Sequence, residues 1–304
     1  MFKYIRFILS FIKKIIISIY LYIRYNIKKS SFPHYLSVVV IIKNEGQYIA
    51  EWLEYHLLVG VSKFYIYDNE SEDNIKEILK PYIESGIVEY QYFPGIAKQL
   101  AAYKDVLKKA RRETYWLAAV DCDEFIVPVS TQTIPEFLKE FEGCGGIEIN
   151  WLVYGSSSKK TKENGLVIER FKDHSLSEFD KNLYVKTVLN PRFTVAMHIH
   201  NAKYAIGKYS VNPNKEKLKV YYLNRERSIL DKIRINHYYG KSYEEFLSKR
   251  SRGRATQKSE KARIRPIQLF FDYDKNDIKN DPIMDKYIPL IYRNIKQRYN
   301  TGGR

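Results

Sequence analysis

One apolar run that ends in acidic residues constrains the fold more than any other stretch of the chain. Residues 115–120 are mostly apolar, and Asp121, Asp123 and Glu124 follow almost directly. A run of this length bounded by polar residues predicts a buried β-strand. In open α/β sheets, ligands bind in the crevice outside the carboxyl ends of the strands. We therefore expect these acids at an edge of the sheet where a binding site can form.

The spacing of two of these acids indicates a cation site. Asp121 and Asp123, here called the acid pair, are two residues apart, so an extended backbone points both side chains to one face. Neighbouring carboxylates repel each other unless a cation lies between them. Mg²⁺ or Mn²⁺ suits the arrangement, because both accept oxygen ligands and leave positions for phosphate oxygens. The functional interpretation is a metal site for a nucleotide diphosphate. The alternative is a helix N-cap or a solvated acidic turn.

Residues 36–150 predict a parallel sheet flanked by helices. Three further apolar runs, at 36–42, 63–67 and 87–93, predict strands, and a segment of helical spacing follows each of them. The second of these helices is expected to end before Pro81. The order β-α-β-α-β-α-β implies right-handed crossovers between parallel strands. Polar clusters follow three of the four strands, so we expect these clusters to meet at one edge of the sheet.

Length, composition and net charge limit the classes of protein to which this chain can belong. The 304 residues suffice for one large domain or two small ones, and 27 tyrosines argue against a disordered chain. Two cysteines, Cys122 and Cys144, are too few for a disulfide framework or a cysteine zinc site, which favours a reducing compartment. A formal net charge of +16 raises the alternative of a nucleic-acid-binding protein. No recognition module accompanies that charge, so no nucleic-acid partner is expected.

Residues 1–30 predict a basic amphipathic helix. The segment contains seven basic residues and no acid, and its longest uncharged run, 15–23, is too short to span a bilayer as a helix. At about 100° per residue the cations gather on one side. The apolar residues away from that side are Phe2, Ile5, Leu9, Ile12, Ile16, Ile19 and Ile23. Such a helix is typical of the interface of an anionic membrane. The alternative is a helix docked on the protein's own core or in an oligomer.

A set of motifs resembles glycosyltransferases of the GT-A fold, most closely the family-2-like and family-92-like group. In the first half they are Val40–Glu45, Glu51–His56, Tyr67–Asp73 and Asp121–Phe125. In the second half, Arg234–Ser242 and the basic helix after it are similar to the C-terminal signature of that group. Each motif is weak alone, but the set is specific. The resemblance covers about residues 36–255 and leaves out the N-terminal helix.

The resemblance implies a fold and a set of site residues. The fold would be α/β, a GT-A (Rossmann-like) mostly parallel sheet flanked by helices, preceded by the amphipathic helix. The acid pair would hold a metal ion and the ribose, and a late histidine, His237, would complete the coordination of the metal. A hydrogen-bonded structural histidine is the alternative for His237. The residues implied in nucleotide-sugar binding are Lys43, Asn44 and Glu45 after the first strand, Asp68, Asn69, Ser71 and Asp73 after the second, Asp121, and Arg252. Helix capping is the alternative for the second cluster.

The second half contains candidates for the catalytic base. Inverting transfer needs a carboxylate that takes the proton of the acceptor hydroxyl. Asp173 and Glu169 are the next acids after a polar loop, and either is equally explained as a surface ion-pair partner. Trp151 could stack on a sugar or pack in the core, and the sequence leaves both open. His198 and His200 lack a third ligand at zinc-site spacing and are interpreted as structural.

A basic stretch follows the predicted helix that Ser242 caps. Arg252 lies at the end of that helix, and arginine makes bidentate phosphate contacts. The cations that follow it are Arg254, Lys258, Lys261, Arg263, Arg265 and Lys275. The functional interpretation is a basic segment that closes over the donor diphosphate, and the alternative is a solvated basic helix.

Together these features predict an enzyme in four segments. Residues 1–30 form the membrane-interface helix, 36–150 the nucleotide-sugar half, 151–265 the acceptor half and 266–304 a helical tail. With Mn²⁺ or Mg²⁺, the enzyme would move a hexose with inversion from a nucleotide diphosphate sugar, UDP-sugar favoured, to a glycan or lipid-linked glycan. We expect it on the cytoplasmic face of a bacterial membrane, in surface polysaccharide synthesis. The alternative is an inactive membrane-peripheral scaffold.

Overall fold

The computed structural model describes residues 2–25, 32–218, 227–253 and 264–301. Its strands, in chain order, are β1 His34–Ile42, β2 Lys63–Asp68, β3 Val88–Tyr92, β4 Thr114–Ala119, β5 Glu124–Pro128, β6 Gly146–Val153, β7 Val185–Leu189, β8 Thr194–Met197, β9 Ala202–Tyr204, β10 Ser210–Val211 and β11 Ile233–His237. Its α-helices are α1 Phe2–Tyr25, α2 Gly46–Leu58, α3 Ile75–Glu84, α4 Gln99–Glu113, α5 Ile134–Leu138, α6 Val167–Arg170, α7 Tyr243–Arg252, α8 Gln268–Tyr273 and α9 Ile288–Thr301.

A nine-stranded mixed sheet forms the centre of the protein. Its strands lie in the order β3-β2-β1-β4-β7-β6-β11-β5, and β10 pairs with β6 beside this path. The first four strands are mutually parallel, as predicted. β7 runs antiparallel to both β4 and β6, whereas β11 is parallel to β6 and antiparallel to β5. The predicted α/β class with a mostly parallel sheet is confirmed. The boundary expected between residues 150 and 151 falls inside β6, so both halves of the chain build one sheet.

Both faces of β1 are covered, which explains its continuous apolar sequence. Val38 and Val40 pack with residues of α2 and α3 on one side, and Val39 packs with residues of α4 on the other. Successive side chains of a strand point to opposite faces. All three valines are fully buried, and burial of such a side chain contributes about 1.5–3 kcal/mol. A helix layer on each side of the sheet therefore fixes the strand whose carboxyl end reaches the site.

Two elements differ from the sequence prediction. α3 continues through Pro81 to Glu84 instead of ending before the proline. The turn after Pro81 carries Tyr82, whose side chain is fully buried in the main core, and this burial offsets the hydrogen bond that proline cannot donate. β5 was missed, because Glu124 was interpreted as part of an acidic turn. In the structure, Glu124 begins a short buried strand that pairs with β11.

The N-terminal helix lies against the β8–β9 side of the protein. Leu21 is buried, and the backbone N–H of Ile206 donates to Ser18 Oγ at 3.0 Å. Most of the predicted apolar stripe faces outward: Leu9, Ile12, Ile16, Ile19 and Ile23 are 45% to 62% exposed. In the described part of the chain, no helix has the length and apolar character needed to cross a bilayer. α1 therefore docks through a narrow edge and leaves its wide apolar face uncovered by described residues.

Candidate active site

A cleft of about 350 Å³ lies where the carboxyl ends of β1, β2 and β4 meet the end of β11 and helix α7. The polar and charged side chains that line it are Lys43, Glu45, Asn69, Gln99, Asp121, Asp123, His200, His237, Lys249, Arg252 and Arg265. Trp151, Tyr239 and Tyr273 contribute aromatic surface. The expectation that strand-end residues meet at one edge of the sheet is confirmed for β1, β2 and β4.

Asp121 is held by a buried lysine. Lys186 Nζ, on β7, donates to Asp121 Oδ2 at 2.7 Å and lies 3.3 Å from Glu124 Oε2. Glu124 Oε2 in turn accepts from the backbone N–H of Asp121 at 2.9 Å. Burial disfavours the ammonium, but the charges of Asp121 and Glu124 outweigh it and raise the pKa of Lys186. Burial raises the pKa of Glu124 to about 8. One carboxylate of the acid pair is thus locked to the sheet by a charged lysine.

Asp123 is held from the opposite wall by α7. Lys249 Nζ contacts Asp123 Oδ2, donates to the carbonyl of Tyr239 at 2.8 Å, and lies 4.1 Å from the centre of the Tyr239 ring. Burial opposes ionisation of Asp123, but the charge of Lys249 outweighs it and holds the pKa of Asp123 well below its usual range. The carboxylate is therefore ionised, and its counter-cation comes from a helix rather than from the sheet.

His237 approaches the same carboxylate as a neutral imidazole. Its Nε2 is 3.8 Å from Asp123 Oδ2, and burial lowers the pKa of His237 to about 3. Its Nδ1 is buried with no hydrogen-bond partner among the described residues. A neutral imidazole is the form that binds metal ions. The predicted proximity of His237 to the acid pair is therefore present in the structure.

The donor set fits a metal ion that arrives with phosphate. The described residues hold no cluster of three or more His, Cys, Asp or Glu side chains placed to coordinate a cation by themselves. Mg²⁺ is usually held by one or two carboxylates while substrate phosphates and water complete the shell. Asp121, with its side chain 39% exposed, and Asp123 supply such carboxylates. Each already carries a lysine, however, so a metal ion would bind in competition with these cations.

Helix α7 also reaches the end of β1. Arg252 pairs with Glu45 at 2.9 Å and donates to the carbonyls of Lys43, at 2.8 Å, and Asn44. Lys43, Glu45 and Arg252 all line the cleft, as the resemblance implied. Burial raises the pKa of Glu45 despite the nearby Arg252. Arg252 therefore presents a guanidinium at the cleft and at the same time anchors the helix to the sheet.

The cluster after β2 mainly braces loops. Asp68 Oδ1 accepts from the N–H of Ser71 at 2.8 Å, and Ser71 Oγ accepts from the N–H of Asn44 at 2.9 Å. Asp73 Oδ2 accepts from the N–H of Gly46, the first residue of α2, at 2.8 Å. Asn44 has a φ of 53°, a conformation that asparagine tolerates better than most residues. These side chains hold the β1–α2 loop in place, and Asp73 bonds the first residue of α2, whereas the N-cap residue of the following helix α3, Asn74, makes no side-chain cap bond.

Asn69 is the member of that cluster that lines the cleft. Its Nδ2 donates to the carbonyls of Phe93 and Gly95 at 3.1 and 2.8 Å. Asp68 lies behind it, fully buried, and accepts from the hydroxyl of Tyr90 at 2.6 Å. Of the predicted cluster, Asn69 is therefore the residue placed to contact a ligand directly.

The structure does not bring the two predicted base candidates to the cleft. Asp173 Oδ2 pairs with Lys279 at 3.0 Å, and its Oδ1 accepts from the N–H of Asn280 at 3.1 Å. Glu169 lies on the short helix α6 and accepts from the hydroxyl of Tyr292 at 2.6 Å. Neither lines the cleft. Both tie the tail of the chain to earlier residues, Asp173 through the ion pair of the alternative interpretation and Glu169 through a hydrogen bond with a tyrosine.

Some side chains at the site were missed by sequence reasoning. Lys186 sits in the run Val185–Leu189, where a lysine among buried residues signals a buried partner. Lys249 lies three residues before Arg252, so both project from one face of α7. The predicted basic segment is only partly visible, because Arg254, Lys258, Lys261 and Arg263 lie outside the described residues. Arg265 lines the cleft and donates to the carbonyls of Lys249 and Gly253 at 2.9 and 2.7 Å.

Comparison with known proteins confirms the family that the motifs resemble. The sequence model of glycosyltransferase family 92 matches residues 38–266. A family 92 protein of Oryza sativa subsp. japonica is 27% identical over 183 residues, which cover 58% of this chain and 31% of the relative. One of Ricinus communis is 24% identical over 230 residues, which cover 74% and 39%. The chain thus spans about a third of the length of these curated relatives.

Solved structures also show similarity. The crystal structure of S. aureus TarS 1-349 in complex with UDP-GlcNAc has a TM-score of 0.37 and 16% identity, with 52% of this chain and 46% of that chain covered. An apo UDP-glucose pyrophosphorylase has a TM-score of 0.33 and 12% identity, with 52% and 78% covered. The family match is the stronger finding, since it runs from β1 past the end of α7 and includes all the charged residues of the cleft. The chain belongs to glycosyltransferase family 92.

Proposed function

We propose that the protein moves a hexose from a nucleotide diphosphate sugar to a hydroxyl of a glycan or lipid-linked glycan, with inversion at the anomeric carbon. UDP-sugar is the donor that the GT-A resemblance favours. The observation that carries the proposal is the meeting of the acid pair with Lys249 and Arg252 in one cleft at the carboxyl ends of the strands. This is the place where α/β sheets bind nucleotides.

The cations of the cleft would stabilise the departing diphosphate. Negative charge develops on the leaving group, and preorganised cations in a partly buried site stabilise that charge. Arg252 and Arg265 line one wall of the cleft together with Lys249, and backbone carbonyls hold both arginines, so the two guanidinium groups need little reorganisation. A Mn²⁺ or Mg²⁺ ion bound at the acid pair would add Lewis-acid charge next to the same phosphates. Asn69 and Glu45 line the strand-end side, where we place the nucleoside.

His200 is our candidate for the proton acceptor, in place of Asp173 and Glu169. Its Nδ1 donates to the carbonyl of Val185 at 3.0 Å, which leaves Nε2 unprotonated. Burial and the charge of Lys186 lower the pKa of His200 to about 4, so the ring is neutral near pH 7. The negative charge of a bound diphosphate would raise this pKa. Trp151, whose ring centre is 5.6 Å from that of His200, lines the cleft as well, but it is 6% exposed and its ring stacks on Tyr184 in the core.

A binding experiment tests the donor class. Thermal stability is measured with a panel of nucleoside diphosphates, with and without Mn²⁺. A ligand that binds the folded state alone raises the midpoint, by about 5 °C at hundredfold excess over Kd. We expect one nucleotide to give a Mn²⁺-dependent shift that disappears in the Asp121→Asn/Asp123→Asn double variant. The absence of any shift would favour the inactive scaffold, which is the alternative function.

We also propose that α1 holds the enzyme on an anionic membrane surface, on its cytoplasmic face. The stripe of Leu9, Ile12, Ile16, Ile19 and Ile23 is exposed, and so are the nearby cations Arg6, Lys13, Lys14 and Arg24. Apolar burial combined with attraction to anionic lipid is how such helices bind. A lipid-linked acceptor in bacterial surface polysaccharide synthesis is the pathway that this location suggests.

A flotation assay tests the membrane proposal. The protein is mixed with vesicles of phosphatidylcholine, with or without phosphatidylglycerol. We expect flotation with the anionic vesicles, and its loss in the Ile12→Glu/Ile16→Glu variant. Ile83→Glu, which alters an exposed isoleucine on α3, is the matched control and should leave flotation unchanged. Flotation of the double variant at the wild-type level would reject the role of α1.

A further inference from the structure

The two carboxylates of the acid pair have counter-cations of different kinds. Lys186 is 1% exposed, lies in the middle of a sheet strand, and is shared between Asp121 and Glu124. If it left Asp121, its charge would remain in the core. Lys249 is 12% exposed, projects from a helix into the cleft, and has a second anchor at the carbonyl and ring of Tyr239. It can therefore leave Asp123 while its ammonium keeps other partners.

A metal ion and the Lys249 ammonium would repel each other if both were bound to Asp123. A divalent ion on this carboxylate would lie only a few ångströms from the ammonium, and like charges at that separation repel strongly where solvent is partly excluded. Asp121 does not offer the ion an uncontested alternative, because Lys186 contacts it at 2.7 Å. Metal binding at the acid pair therefore requires Lys249 to move, since Lys186 is enclosed.

We propose that Lys249 is a built-in counter-cation that competes with the metal ion for Asp123 and moves to the donor diphosphate when donor and metal bind together. The inference rests on the proposed function and adds a coupling between two ligands. Without the diphosphate, the ion must displace an ammonium that has no new anion to bind. With the diphosphate present, the displaced ammonium finds phosphate oxygens in the same cleft, next to Arg252. Metal and donor therefore bind cooperatively, and each raises the affinity for the other by the same factor.

Direct Mn²⁺ binding tests this competition. Free Mn²⁺ is measured by electron paramagnetic resonance during titration of the full chain, with and without UDP. In the Lys249→Met variant we expect Mn²⁺ alone to bind about tenfold more tightly, because its competitor is gone. We also expect UDP to increase Mn²⁺ affinity much less in this variant than in the wild-type protein, because the coupling runs through the lysine.

Two variants control for charge and for folding. Lys109→Met removes a lysine of α4 that pairs with Glu89 at 2.6 Å and does not line the cleft, so it should change Mn²⁺ affinity by no more than about twofold. Lys249→Arg keeps a cation on Asp123 and should not tighten Mn²⁺ binding. Circular dichroism and thermal melts confirm that each variant is folded.

The outcomes separate this inference from the proposed function. Unchanged or weaker Mn²⁺ binding in Lys249→Met overturns the competition. If UDP still shifts the melting midpoint of the wild-type protein in that case, the donor proposal stands alone. If no protein binds Mn²⁺, with or without UDP, the metal site and the competition are both rejected. Tighter binding in Lys249→Met, but not in Lys109→Met or Lys249→Arg, supports the exchange.

Discussion

The two halves of the sheet contribute to the cleft in different ways. In the first half, apart from Gln99 at the start of α4, the polar side chains at the site follow a strand: Lys43 and Glu45 after β1, Asn69 after β2, and the acid pair after β4. In the second half, the groups that meet the acid pair come from the middle of a strand and the face of a helix. Lys186 is 65 residues from Asp121, and Lys249 is 126 residues from Asp123. The first half therefore supplies the carboxylates, and the second supplies their counter-charges.

This difference shows which part of a site a local pattern can encode. Parallel topology brings the carboxyl ends of neighbouring strands to one edge, so an apolar run followed by polar residues predicts both the element and its place. A cation that meets those acids from another part of the sheet carries no such local signal. Its role becomes visible only when the long-range pairing is known.

The largest loss of stability should come from replacing Lys186, which connects the two halves of the sheet through its ion pair with Asp121. Lys186→Met would leave Asp121 and Glu124 without their counter-charge, and removing one partner of a buried ion pair costs about 3–5 kcal/mol. Because burial raises the pKa of Glu124 to about 8, this side chain is largely protonated at pH 7, and the loss falls mainly on Asp121. Urea unfolding at pH 7 measures the change in the free energy of unfolding.

Lys249→Met is the matched comparison for that measurement. Lys249 is 12% exposed and Lys186 is 1% exposed. We therefore expect Lys249→Met to lower the free energy of unfolding clearly less than Lys186→Met does. Equal losses would show that both lysines contribute equally to stability. The proposed difference between the strand lysine and the helix lysine would then be wrong.

A buried ion pair within the second half, away from the cleft, also contacts the first half through Tyr48 and should make stability depend on pH. Glu245 accepts from Arg170 through both oxygens, at 2.8 and 2.9 Å, and from the hydroxyl of Tyr48, on α2, at 2.8 Å. Burial disfavours the carboxylate, but hydrogen bonds from Arg170 and Ser242 outweigh it and lower the pKa of Glu245 to about 2. A depressed pKa means that this stabilisation is complete above the unfolded value of 4.5 and is lost as the pH falls toward 2.

Glu245→Gln tests the sign of that dependence. After allowance for solvent screening, the variant should lose about 2 kcal/mol of unfolding free energy at pH 7. The difference between the two proteins should shrink between pH 4.5 and pH 2, because the protonated carboxyl of Glu245 and the amide that replaces it are both uncharged. Denaturant midpoints measured across this range provide the test. A constant difference would mean that the pair contributes through packing rather than charge.

Much of the fold and a defined part of the site were predictable from the sequence. The four parallel strands, the cap of α7 at Ser242 and the position of the acid pair follow from apolar runs and capping residues. β5 was missed because its first residue, Glu124, looked like part of an acidic turn. Lys186 was missed because lysine is ordinarily exposed, and only its two buried acidic partners make a buried position favourable.

The smallest effect, on kcat, is expected from changing Asp173 or Glu169, the two residues that the sequence predicted as catalytic bases. Asp173→Asn and Glu169→Gln each alter a side chain that binds Lys279 or Tyr292 and does not line the cleft. Loss of a general base costs about 10²–10⁴ in rate, whereas loss of a peripheral contact changes turnover by about threefold or less. We therefore expect both variants to keep near-wild-type kcat once a donor and acceptor are in hand. His200→Gln, measured in parallel, should show the large loss.

The pH profile distinguishes a base from a residue that only positions the substrate. Loss of a base removes the acidic limb of the kcat profile, whereas loss of a positioning contact raises KM and leaves that limb in place. A hundredfold loss in Asp173→Asn together with a lost acidic limb would restore the sequence-based assignment. It would also mean that Asp173 leaves Lys279 and reaches the cleft when substrates bind, in place of His200 as the proton acceptor.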